Sequence, residues 1–134
     1  MFVRDILQTK GLAVHSCQPE DTLADVVDLL VGHNIGSLVV LQDGEMVGII
    51  TERDIKYVES FSIVDPQTVT VQGAMSEDLY AVAPETPLDQ VVATMAEKKY
   101  GSAIVVQNEH VVGVFTTVDA CRALSELLST RLRN

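Results

Sequence analysis

Apolar residues recur along this chain with two alternating periods, in an order that is used twice. Leu23, Val26, Val27 and Leu30 have the spacing of one helix face, and so do Leu88, Val91, Val92 and Met95. Each helical stretch is followed by two short runs rich in Val, Leu and Ile, at residues 37–42 and 45–50 and again at 102–107 and 110–115. These predict buried strands. Asp43-Gly44 between the first pair is the dipeptide of a tight hairpin turn, and Asn108-Glu109 separates the second pair. A further helix follows each hairpin, ending near Ser60 in the first case and running past Leu124, Leu127 and Leu128 in the second.

Shorter elements lead into each half. Residues 3–9 predict a helix ended by Lys10-Gly11, and residues 71–75 a brief helical start. Residues 12–17 and 79–83 predict extended pieces, with Pro19 and Pro84 turning the chain after them. Asp21 is the expected N-cap of the first amphipathic helix. Thr86-Pro87-Leu88-Asp89 is the expected capping box of the second, with proline at its first position.

The order repeats because the sequence repeats. With an offset of 65, residues 19–54 and 84–119 are identical at 13 of 36 positions, where chance would supply about two or three. The chain is a tandem duplication of a β-α-β-β-α unit: 1–60, a connection at 61–70 centred on Asp65-Pro66, and 71–134 with its C-terminal helix. The expected fold class is α+β. A three-stranded sheet with helices on one face leaves apolar surface to bury, so the two repeats are expected to pack about a pseudo-twofold axis.

Chemistry concentrates where the third strand of each repeat becomes a helix. Gly48-Ile-Ile-Thr51-Glu-Arg-Asp54 is echoed by Gly113-Val-Phe-Thr116-Thr-Val-Asp119. Thr and Asp, nearly one turn apart, stand at the positive end of a helix, where backbone N–H groups attract an anion. A carboxylate there can accept two hydrogen bonds from a vicinal diol, and diol plus phosphate describes a nucleotide. Thr-x-x-Asp before a helix is also a plain capping pattern. Recurrence with the glycine at the same offset favours the ligand.

Composition narrows the partners. Nearly half the residues, 47%, are hydrophobic, so the chain can bury a core. The net charge of −10 argues against general affinity for nucleic acid or anionic membrane. No apolar run reaches the length of a membrane span and the N-terminus lacks a signal-peptide core, so the expected location is cytoplasmic. Cys17 and Cys121 belong to no metal-spaced or CxxC set and are expected reduced and semi-buried. The three histidines have no ligand spacing, so no metal site is expected. No Gly-rich phosphate loop or Ser/His or Cys/His pairing is present, and Asp54 and Asp119 lie one in each repeat, which argues against an enzyme.

The doubled β-α-β-β-α repeat with G-h-h-T-x-x-D at the third strand's exit resembles a pair of cystathionine-β-synthase (CBS) domains, over about residues 3–124. The Gly-Ser before the central strand and Thr-Glu-Arg-Asp in the first copy are similar to small stand-alone bacterial members. The resemblance implies a regulatory, signal-transducing module without catalytic activity. It would bind an adenosine compound (AMP, ADP, ATP, NAD or S-adenosylmethionine) in two clefts between the repeats, form a homodimer through its helices and act on a partner protein. The first cleft would use Asp54 on the ribose, Thr51 and Arg53 near the phosphate, Leu79, Tyr80 and Tyr100 around the base, and Lys98 and Lys99 at the phosphate end. The second would use Asp119 and Thr116, with Val14, His15 and Ile35 around the base and His33 and Asn34 at the lysine positions. Because Val118 replaces Arg53 and a His-Asn pair replaces the lysines, the first cleft is expected to favour phosphorylated adenosines. The competing reading is an interaction or oligomerisation module that uses the fold without a ligand.

Overall fold

The computed structural model describes residues 1–10, 14–61 and 63–132. Its elements are α1 (Val3–Lys10), β1 (Ser16–Cys17), α2 (Leu23–His33), β2 (Ser37–Gln42), β3 (Glu45–Thr51) and α3 (Glu52–Glu59). A 3-10 turn at Val71–Gly73 follows, then β4 (Ala81–Val82), α4 (Leu88–Lys98), β5 (Ser102–Gln107), β6 (His110–Thr116) and α5 (Thr117–Leu132). This is the α+β tandem repeat that the periodicity predicts.

Two compact units result, one of His15–Leu79 and the other of Met1–Val14 with Tyr80–Asn134. In the first, β1 pairs parallel with β2 and β2 antiparallel with β3; in the second, β4, β5 and β6 repeat that arrangement. The registers match position for position, with Ser37 opposite Thr51 and Ser102 opposite Thr116, and each hairpin carries a bulge, after Val40 and after Val105. Both two-residue turns have positive φ throughout, at Asp43 and Gly44 and at Asn108 and Glu109, as the twist of a tight hairpin requires.

The core of the 15–79 unit gathers Leu23, Val26 and Leu30 of α2, Leu38 and Val40 of β2, Ile50, Ile55 and Val71. The other unit buries Val91 and Met95 of α4, Ala103 and Val105 of β5, Phe115, and Val3 and Leu7 of α1. The leading segment of each repeat is thus packed on the other repeat's sheet. The two crossings use the same hydrogen bonds. Val3 N–H donates to the Thr86 carbonyl and Arg4 N–H to that of Pro84; Val71 N–H donates to Asp21 and Gln72 N–H to Pro19. Position 86 is the counterpart of 21, and 84 of 19, so the pattern is duplicated with the sequence.

Helix starts differ from expectation by one residue. The N-cap of α2 is Thr22, in a reciprocal box with Asp25, and α4 begins after Pro87 without a side-chain cap. Asp21 and Thr86 are occupied elsewhere: each accepts from the N–H three residues back, of Gln18 (2.8 Å) and Ala83 (3.2 Å). A short polar side chain just before a helix can bond forward or backward, and in both repeats it closes the preceding turn.

Candidate ligand-binding site

The Thr/Asp motifs form two capping boxes of the same geometry. Thr51 N–H and hydroxyl both donate to Asp54 Oδ2, at 2.9 and 3.0 Å, and Asp54 N–H donates to Thr51 Oγ1 at 3.2 Å. Thr116 and Asp119 make the same three bonds at the same distances. The next N–H, of Glu52 or Thr117, donates to the carbonyl of Gly36 or Gly101, at 3.0 and 3.1 Å. This locks the helix start against the residue ahead of the central strand. The Gly-Ser recurrence marks that contact, although the sequence reading did not connect it with the motif.

The boxes decide what each group can still offer. An ionised carboxylate accepts only, so the one hydroxyl proton of Thr51 is directed at Asp54. The threonine therefore orients the carboxylate, and donors to a phosphate must come from elsewhere. Each cap uses Oδ2, which leaves Oδ1 outside the box. At Asp119, 5% exposed, Oδ1 lies 3.9 Å from the Arg122 guanidinium. Asp54 is half-buried.

The remaining residues cluster at the start of each central strand. Tyr80 and Tyr100 stack with ring centroids 5.4 Å apart and planes 18° from parallel. The Tyr80 carbonyl accepts from Ile104 N–H at 2.7 Å, as that of His15 does from Val39 at 3.3 Å. His15 stacks on His33 at 3.9 Å, a pairing that no spacing rule signals. Lys98 and His33 end α4 and α2, and Lys99 and Asn34 follow in left-handed conformation, φ 61° and 53°. All four are exposed; Val14, Leu79, Ile35 and Tyr100 are half-buried. Ile35 and Tyr100 also pack against their units' cores.

The 15–79 unit thus carries Thr51, Arg53, Asp54, Leu79, His15, His33, Asn34 and Ile35. The other carries Thr116, Asp119, Val14, Tyr80, Lys98, Lys99 and Tyr100. Each expected set draws on both units. The cysteines differ from each other. Cys17 is buried, and desolvation, reinforced by Asp21, pushes its thiol up to about 11; Cys121 is exposed rather than semi-buried. Among the described residues no group of three metal-ligating side chains occurs, and no helix is long and apolar enough to cross a membrane.

The family model for the CBS domain matches residues 3–60 and 71–126, and the chain belongs to that family as a tandem CBS pair. It is 29% identical over 133 residues to the mitochondrial CBS domain-containing protein CBSX3 of Arabidopsis thaliana, covering 91% of this chain and 64% of that relative. It is 35% identical over 107 residues to inosine-5′-monophosphate dehydrogenase of Escherichia coli, covering 78% of this chain and 21% of the enzyme. The chain therefore spans less than two thirds of the length of these curated relatives. Among solved structures, the CBS domain pair of protein MJ0100, in complex with 5′-methylthioadenosine and S-adenosyl-L-methionine, matches with a TM-score of 0.81 at 25% identity. That match covers 92% of this chain and 99% of that one.

Proposed function

We propose that this chain is a non-catalytic regulatory module that binds adenosine-containing ligands through the Thr/Asp motifs of its two repeats. The observation that carries this reading is the duplication of the Thr–Asp box with one carboxylate oxygen outside the cap in each copy. At Asp54 that oxygen is an acceptor suited to a ribose diol. The ligands bound by the similar pair of MJ0100, both built on adenosine, support the ligand class. Occupancy would reach a partner only through a difference in affinity between two arrangements of the module.

A thermal-shift panel of AMP, ADP, ATP, NAD and S-adenosylmethionine tests the reading on wild type and Asp54→Asn. Asparagine keeps an acceptor for the Thr51 cap and puts an NH2 donor where the ribose needs an acceptor, so it separates binding from folding. A ligand at a hundred times its dissociation constant adds about 2.7 kcal/mol. A rise of several degrees that Asp54→Asn reduces supports the sensor; no rise with any of the five defeats it.

The exposed leucines of α5, Leu124, Leu127 and Leu128, favour a second reading, a homodimerisation module. Sedimentation of wild type against Leu127→Asp distinguishes it: a dimer should become a monomer. A wild type that sediments as a monomer excludes that use of the helix.

A further inference from the structure

The His15 and His33 rings, both in the 15–79 unit, stack face to face with centroids 3.9 Å apart and planes 23° from parallel. The contact joins the residue that leads into β1 to the last residue of α2. β1 is an edge strand of two residues, so its attachment to β2 rests on few bonds. The bond at its start, from Val39 N–H to the His15 carbonyl, is 3.3 Å long, where the counterpart from Ile104 to Tyr80 is 2.7 Å. In the other repeat the positions of His15 and His33 are Tyr80 and Lys98, and Tyr80 stacks on Tyr100 instead.

We propose that the His15–His33 stack is a proton-sensitive latch on the start of β1, closed while at most one ring is charged and opened when both are. Imidazole is the side chain that changes charge between pH 5 and 8. Two neutral rings, or one neutral and one charged, attract face to face, and two imidazoliums repel. The carbonyl end of α2 accommodates one positive charge on His33. A second charge, on His15, then stands 3.9 Å away. Among the described residues no Asp, Glu, Lys or Arg of β1, β2, β3 or α3 makes an ion pair or hydrogen bond with either ring, so none of these elements supplies a counter-charge. Like charges about 4 Å apart in water shift an equilibrium about fivefold, enough to open a contact between a half-buried ring and an exposed one. Opening leaves the His15 end of β1 held by its long backbone bond. Phenols keep their charge over this range of pH, so acid loosens the first repeat and spares the second. The signal is the proton itself, and the inference stands apart from the adenosine reading.

The test is amide hydrogen exchange of the full chain, followed by NMR at pH 7.5 and pH 5, on wild type, His15→Phe, His33→Phe and His33→Gln. Each rate is divided by that of an unstructured peptide at the same pH, and Val39 is compared with its counterpart Ile104 in the same sample. Phenylalanine keeps a ring to stack and takes no charge; glutamine removes ring and charge together. His33 is exposed, and thermal melting checks that each variant is folded. In wild type the protection of Val39 relative to Ile104 should fall about fivefold at pH 5. In the folded Phe variants the ratio should stay within about twofold between the two pH values, and in His33→Gln it should be low at both. A wild-type ratio that does not change with pH overturns the latch. So does a fall of equal size in the Phe variants, or a His33→Gln variant as protected as wild type at pH 7.5.

Discussion

The carbonyl oxygen of Ser76 lies 2.9 Å from the point where a Cβ on Gly48 would stand, and Met75 Sδ lies 2.7 Å from it. The leading segment of the second repeat is bonded along β3 here, with Ile49 and Ser76 exchanging both backbone hydrogen bonds at 3.0 and 2.9 Å. The recurring glycine is therefore where another backbone must come close. In the other unit the nearest atoms to a Cβ at 113 all belong to the Leu7 side chain, its two methyl groups at 2.6 and 2.9 Å. Gly48→Ala should destabilise by about 1–3 kcal/mol because a bonded backbone has to move. Gly113→Ala should cost less, since a leucine can change rotamer. Urea unfolding of the two variants checks the order, and an equal or reversed cost would contradict it.

The second hairpin carries strain that the first avoids. Glu109 adopts φ 67° where its counterpart Gly44 has φ 81°. A left-handed conformation costs an ordinary residue about 1–2 kcal/mol, partly offset by glycine's greater loss of entropy on folding. Glu109→Gly should stabilise by about 0.5–1 kcal/mol, and Gly44→Ala should destabilise by a similar amount. Thermal melts that move in the same direction for both would exclude this account.

How far the chain could be read beforehand follows from the range of each interaction. The strands, both hairpins, the amphipathic helices and the duplication are local patterns, and they were legible. The N-cap of α2 was misplaced by one residue because Asp21 and Thr22 are both good caps, and only the hydrogen bond from Gln18 N–H to Asp21 decides between them. The crossing of α1 onto the second repeat depends on Val3 and Leu7 fitting a core more than eighty residues away in sequence, which no period reveals. At the site, Thr51, Asp54, Thr116 and Asp119 were visible as a motif. The His15–His33 stack and the Arg122 approach to Asp119 arise from tertiary placement.

Buried Cys17 makes stability depend on alkaline pH. Its thiol is raised from an ordinary 9.0 to about 11, first by desolvation and then by Asp21. The unfolded chain therefore loses that proton before the folded one does, and stability falls as pH rises from 9 to 11. The stabilisation is complete below 9 and amounts to on the order of 2 kcal/mol. Urea midpoints at pH 8 and 10.5 should converge less in wild type than in Cys17→Ala, whose stability lacks this slope. The same burial predicts that iodoacetamide at pH 8 labels Cys121 and spares Cys17. Equal labelling of both in the folded protein would refute it.

If the proposed ligand is held through the carboxylate oxygen outside the cap, capping and binding use different atoms of the same aspartate, and variants can take them apart. Thr51→Val removes the hydroxyl from the first box, and Thr116→Val removes it from the second; since the boxes have equal bond lengths, each should cost about 1 kcal/mol without ligand. Thr51→Ser and Thr116→Ser retain the oxygen and should cost much less. If the threonines act only by orienting the carboxylates, the Val variants should lose ligand affinity as well, because Asp54 and Asp119 are no longer held in one rotamer. The Ser variants should then bind as wild type does. A threonine that touched the phosphate directly would give another result. Thr51→Val would lose ATP while keeping adenosine, and the argument that its proton is committed to Asp54 would fail.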